Sequence, residues 1–184
     1  MRKLITAIAA CLFIMGCAGT PQEKAADKMK DMQDDKTALV NKGVVAGLGI
    51  GTSKNKQLAY DEADLNARVD VQRAMEEKIE GLIRNYIEDV GDELTEHKEE
   101  VKKGVVSGIQ KGVSIVKMDV EVTENGKYEV YAIAVMDPQI IKNAFEAELS
   151  ARQANIERAR AMAGYQELEK ATAALEAYKA SQVR

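Results

Sequence analysis

Residues 116–136 read VKMDVEVTENGKYEVYAIAVM, two alternating apolar runs on either side of Glu124-Asn125-Gly126-Lys127. Asn-Gly between such runs is the preferred two-residue type I′ hairpin turn, since both central residues must take positive φ. Pairing Glu124 with Lys127 sets Val122 opposite Glu129, Val120 opposite Tyr131, Met118 opposite Ile133 and Val116 opposite Val135. Lys117, Asp119, Glu121 and Thr123 then share the other face of the first strand. One side of the hairpin is expected to meet a core and part of the other to meet water. A slip of one residue would exchange the two faces.

Upstream, Val44-Val45-Ala46-Gly47-Leu48-Gly49-Ile50 is a strand-like run closed by Gly51-Thr52-Ser53. A long helical pattern follows, with Ala59, Ala63, Ala67, Val71, Met75, Ile79, Leu82, Tyr86 and Val90 spaced by three or four, until Gly91 breaks it. Leu94, Val101, Val105 and Ile109 mark a second amphipathic helix beside the first. The expected fold is α+β: a small antiparallel sheet in the order strand, helix, helix, strand, strand, with helices on one face. Gly47-Leu48-Gly49-Ile50-Gly51 lacks the GxGxxG spacing and the lysine-serine pair of phosphate loops, so it reads as close packing of strand against helix.

The chain opens with a basic head, Met1-Arg2-Lys3, and an apolar run from Leu4 to Met15. That run suits a signal-peptide core and falls short of the roughly 20 residues of a bilayer-spanning helix. It ends in Ile14-Met15-Gly16-Cys17, which resembles a bacterial lipobox, where cleavage falls between Gly16 and Cys17 and the thiol of Cys17 is lipidated. Small residues are usual where Met15 stands. Cys11, the other cysteine, lies in the part discarded, so the mature chain is expected to hold no free thiol, disulfide or thiolate metal site. One acyl chain anchors only marginally, so stable membrane residence implies multiple acylation. Ala18, not being aspartate, resembles the outer-membrane sorting pattern of Gram-negative lipoproteins.

The sequence therefore divides into a signal peptide (1–16), a lipid anchor with a polar tether (17–41), a globular α+β domain (42–137) and an alanine-rich helical extension (138–184). Extended, the tether would span roughly 70 Å, and as a flexible coil about 25 Å. The alternative for it is a frayed helix on Ala25, Met29 and Met32 that a partner orders. In the extension, Pro138 suits a first helical position. Ile141, Phe145, Leu149 and Ile156 form one apolar line, interrupted by Arg152. Ala161, Tyr165, Leu168, Ala171, Leu175 and Tyr178 form a second, thinner one, suited to a close helix pair. It either folds back on its own sheet or presents Tyr165, Leu168, Leu175 and Tyr178 to another subunit.

Gly47 to Gly51, the alanine-spaced helix with Ala59, Ala63, Ala67 and then Arg68, the second helix and the hairpin together resemble the LPP-twenty bacterial lipoprotein family over about residues 43–137, and the lipobox upstream agrees with it. The resemblance implies an outer-membrane or surface lipoprotein of helix-on-sheet fold without catalytic residues. It also implies a motility-associated role, since some members assemble into rings or disks around the flagellar motor.

Composition narrows the chemistry. Aromatics make up 4%, tryptophan is absent and His97 is the one histidine, so acid-base work at neutral pH would rest on carboxylates or lysines. Removing Arg2 and Lys3 leaves 24 basic against 30 acidic side chains, a net charge near −6 that gives nucleic acid no electrostatic attraction. Glu93, Glu96, His97 and Glu100 share a helix face but read as solvated, and Asp61, Glu62 and Asp64 read as favourable charges in a first helical turn. No catalytic, cofactor or metal site is expected. The reading is a non-enzymatic structural lipoprotein of the outer membrane, anchored through Cys17, that self-associates or joins envelope proteins. The alternative is a periplasmic ligand-binding or stress-sensing module.

Overall fold

The computed structural model describes residues 21–90, 96–109 and 112–182. Along the chain lie α1 (Pro21–Asn41), β1 (Ala46–Ser53), α2 (Lys56–Val90), α3 (Lys98–Gly108), β2 (Val113–Val122), β3 (Tyr128–Met136), α4 (Pro138–Ala151), α5 (Ile156–Ala161) and α6 (Ala163–Gln182). The fold is α+β, a three-stranded antiparallel sheet in the order β1-β3-β2 with long C-terminal helices. The break at Gly91, Leu94 and the segment 1–20 lie outside the described residues.

On the sheet's first face, α2 lies directly on β1 and β3. A Cβ added to Gly49 would stand 2.1 Å from the Ala63 carbonyl oxygen and 2.2 Å from the Ala67 amide nitrogen. Gly47 and Gly51 meet the helix backbone in the same way, at Ala67 and Val71 and at Ala59 and Ala63. The match is geometric: four helical residues rise about 6.0 Å and two strand residues about 6.8 Å, so alanines every fourth residue stay level with glycines every second. Next to the glycines, β3 also presents small residues, Ala132 opposite Gly49 and Ala134 opposite Gly47. Below this contact the rest of α2, from Val71 to Tyr86, completes the core with Val101, Val105 and Ile109 of α3 and Ile141, Phe145 and Leu149 of α4, all buried.

The hairpin corrects the expected register. Val122 pairs with Tyr128, Val120 with Val130, Asp119 with Tyr131 and Met118 with Ala132, one residue away from the expected pairing. The Gly126 amide donates to the Thr123 carbonyl (2.9 Å) and the Thr123 amide to the Lys127 carbonyl (2.8 Å). Gly126 is the one loop residue with positive φ, 67°. The loop is therefore a three-residue turn closed by a left-handed glycine, the next most common hairpin after the two-residue form. A bulge between Ile115 and Lys117 shifts the ladder again. The slip is tolerated because β3 is apolar on both faces, with Val130 through Met136 all buried. The close approach of α2 leaves room for alanine on one face, so the bulk of Tyr131, Ile133 and Val135 goes to the other.

That second face overturns the expectation of helices on one face. Tyr131, Ile133 and Val135 pack with Val44 and Ala46 against Met32 and Leu39 of α1 and Ala171 and Leu175 of α6. Residues 21–41 are thus a helix docked on the chain's own sheet, where a polar tether was expected. Its stripe is thin, Met29, Met32 and Leu39, and it holds because the surface beneath is already apolar. The boundaries at 42 and 137 are likewise not boundaries of packing. The C-terminal segment forms three helices. Asp137 caps α4 by accepting from the Gln139 amide (2.9 Å), with Pro138 in the first turn. Leu168 of α6 belongs to the first-face core and Ala171 and Leu175 to the second, so α6 closes both around the sheet.

Candidate functional site

Gly16 and Cys17, the expected cleavage and lipidation positions, lie outside the described residues. The expected partner face of α6 is a correction. Tyr165, Leu168 and Leu175 are 4%, 0% and 1% exposed, all against this chain, and Tyr178 packs at the edge of the second-face cluster. Alanine lets α6 sit close to the body, and the few large side chains fill what lies beneath. The line that suited a partner helix serves the fold itself.

Around Tyr165 lies a cluster of charged and polar side chains. The Tyr165 hydroxyl donates to Glu146 Oε1, and Arg160 Nε and Nη2 bind both Glu146 oxygens (2.9 and 3.1 Å). Lys142 Nζ sits 5.0 Å from the Tyr165 ring centroid and donates to Glu169 Oε1 (3.1 Å). Arg160 and the Tyr165 hydroxyl hold the Glu146 carboxyl below its usual range, while burial and Glu146 push Tyr165 up to about 12. Both shifts run away from neutrality, opposite to the tuning of a general base or acid at pH 7. The cluster staples α4, α5 and α6.

Several other acidic groups are also engaged. His97 Nδ1 lies 3.3 Å from Glu100 Oε2, and the same oxygen accepts from Arg152 Nη1 (3.3 Å). Glu93 lies outside the described residues, and among those described no three His, Cys, Asp or Glu side chains gather as metal ligands. Asp64 is held by Arg68 (2.9 Å), and Gln57 donates to Asp61 (2.8 Å).

Glu62, Asn66 and Asp70 have a role the sequence reading missed. The Thr52 amide donates to Glu62 (3.0 Å), Asn66 donates to the Ile50 carbonyl (2.8 Å), and the Leu48 amide donates to Asp70 (3.0 Å). Polar residues at four-residue steps on α2 therefore cover the outer edge of β1 at every second residue. The signal was present as a polar line one position before each of Ala63, Ala67 and Val71, readable only once β1 was known to lie under α2. Lys36 of α1 joins in, donating to Asp70 Oδ2 (2.7 Å). Burial opposes ionisation of Asp70, but Lys36 and the Leu48 amide outweigh it and its carboxyl lies below the usual range. Across the sheet Lys117 donates to Asp35 of α1 (2.6 Å), which raises the lysine.

These pairs make α1 docking pH-dependent. A lowered Asp70 contributes fully above its unfolded value near 3.9 and loses that contribution as pH falls through the folded value. A raised Lys117 contributes below about pH 10.4 and loses its share as pH rises through the folded value. Asp70→Asn should raise hydrogen exchange in α1 about fivefold at pH 7, the scale of a part-exposed pair, with β3 unchanged. The unaltered chain below pH 4 should show the same loss of α1 protection.

A cleft of about 360 Å³ opens between α2, α3 and β2, lined by Met75, Val106, Ile109, Val113 and Met136 with Arg68 and Gln72 beside it. Arg68 is spent on Asp64 and the Val113 carbonyl (3.0 Å). No helix of the described residues is long and apolar enough to cross a membrane.

No protein-family model matches the chain, and no curated protein does. Among solved structures the chain is similar to a hypothetical protein from Francisella tularensis, at 19% identity and a TM-score of 0.33 over 70% of this chain and 48% of that one. The chain thus spans about half the length of that neighbour.

Proposed function

We propose that this chain is a non-enzymatic structural lipoprotein of the bacterial outer membrane, anchored through an acylated Cys17. The observation that carries the reading is the order of the first residues: a basic head, an apolar run too short to span, then Ile14-Met15-Gly16-Cys17. The body supports it, since its principal charged clusters are spent on bonds that join one helix to another or to the sheet. Because α1 starts at Pro21, the link from Cys17 to the docked helix is short, at most about 14 Å when extended. The body would then rest against the membrane surface instead of swinging on a long tether. A motility-associated role and membership of the LPP-twenty family are proposed on resemblance.

Mass spectrometry of the mature N-terminus tests the anchor. The expected result is a chain beginning at an acylated Cys17, and Cys17→Ala should leave the outer-membrane fraction. An intact bond between Gly16 and Cys17, or an unmodified thiol, would overturn the reading.

A further inference from the structure

The sheet has two edges, and the fold treats them differently. Along β1 three side chains of α2 occupy the outer backbone groups of Leu48, Ile50 and Thr52. Along β2, among the described residues, the corresponding contact is the one from Arg68 to the Val113 carbonyl, at the first residue of the strand. Since the Thr123 amide bonds the Lys127 carbonyl, alternation turns Lys117, Asp119 and Glu121 toward β3 and turns the backbone of Met118, Val120 and Val122 outward. The same residues form a partly covered apolar row on the first face, with Met118 and Val120 at the margin of the core there. Met118 and Val120 are half-buried and Val122 is 58% exposed, whereas Ala132 and Val130, the β3 neighbours of Met118 and Val120, are fully buried.

We infer that the free edge of β2 binds the β2 edge of a second copy of this chain, antiparallel, across a two-fold axis at Met118. Charge selects the occupant and the register. Outward-facing groups can only meet outward-facing groups, so the axis must fall on a residue of the strand. An axis at Met118 places Lys117 of each copy opposite Asp119 of the other, extending the pairs each already makes in its own chain, Lys117 with Asp35 (2.6 Å) and Asp119 with Lys28 (3.6 Å). An axis at Lys117 would set lysine on lysine, one at Asp119 would set aspartate on aspartate between two Lys117–Glu121 pairs, and one at Val120 Asp119 on Glu121. Like charges directly opposite destabilise a ladder and opposite charges support it. Of these registers the one at Met118 alone sets opposite charges together with no like-charge pair, and the two apolar rows meet on the same face of a continuous six-stranded sheet. A strand edge whose outward backbone groups are left unpaired is a template for such pairing. This gives the self-association expected from the sequence a surface, and it does not rest on the lipid anchor.

The test is disulfide formation in membranes of cells making the full chain, with cysteine at one new position. At the axis the two Met118 Cα atoms would lie about 5.5 Å apart, within disulfide range, whereas Glu121 and its copy would be offset by about 20 Å along the strands. Met118→Cys should give a dimer on mild oxidation and Glu121→Cys should not. The unaltered chain run beside them reports any cross-link through Cys17 itself, which would count against the anchor and not against the edge. The unaltered chain extracted in mild detergent should also sediment as a dimer at tens of micromolar. A monomer there, or equal cross-linking at the two positions, would overturn the proposal while leaving the lipoprotein reading intact.

Discussion

Gly49→Ala is expected to destabilise the chain by more than about 3 kcal/mol, although it adds a single methyl group. The new Cβ would sit 2.1 Å from the Ala63 carbonyl oxygen and 2.2 Å from the Ala67 amide nitrogen. Those atoms are helix backbone, so no rotamer change can relieve the clash, and α2 as a whole must lift from β1. Overpacking usually costs about 1–3 kcal/mol where side chains can give way, and here they cannot. For a chain of this size the melting midpoint should fall by at least roughly 6–12 °C. Gly81→Ala, on α2 itself, supplies the control. A Cβ at Gly81 meets nothing within 4 Å, so alanine there should stabilise by up to about 1 kcal/mol through helix propensity. Equal, small effects at both positions in thermal melts would mean that the helix does not lie on the strand as described.

Leu168→Glu separates a helix folded in cis from one presented to a partner. Leu168 is fully buried in the first-face core beneath α6, and Gly164 one turn earlier lies close against Leu82 of α2. Removing a buried leucine side chain costs about 2–5 kcal/mol, and a carboxylate placed there must be neutralised or must pull α6 away from the body. A loss of more than about 4 kcal/mol is therefore expected, with a clear drop in the melting midpoint. Dissociation of an oligomer with unchanged melting would instead place α6 at an interface between subunits. The present packing argues that the partner surface lies elsewhere, along β2.

Much of the first-face core was legible before any coordinates. Ala59, Ala63, Ala67, Val71, Met75, Ile79, Leu82 and Tyr86 form one helical line, and all of them are buried. The glycines from 47 to 51 read as a close approach, and they are one. The period of a helix and the absence of a side chain are local properties, so both can be read from the chain alone. The hairpin was legible as a hairpin but not in its register. Asn125-Gly126 can close a two-residue or a three-residue loop at similar cost, and the choice turned on which faces of β3 would be covered.

The sequence by itself determined the strands, the long helices and the glycine-alanine contact, because each is written in spacing that no distant residue needs to ratify. Only the tertiary structure decided where the thin amphipathic segments go. Residues 21–41 carry few apolar side chains and read as a tether, and the line from Tyr165 to Tyr178 reads equally well as a partner face. Both become part of the body because β3 is apolar on its second face as well, with Tyr131, Ile133 and Val135 needing cover that α1 and α6 provide. The edge contacts of Glu62, Asn66 and Asp70 were hidden for the same reason. Whether a polar side chain is solvated or occupies a strand's backbone depends on what lies across from it, and a burial that takes two weak surfaces to complete is recorded in neither of them alone.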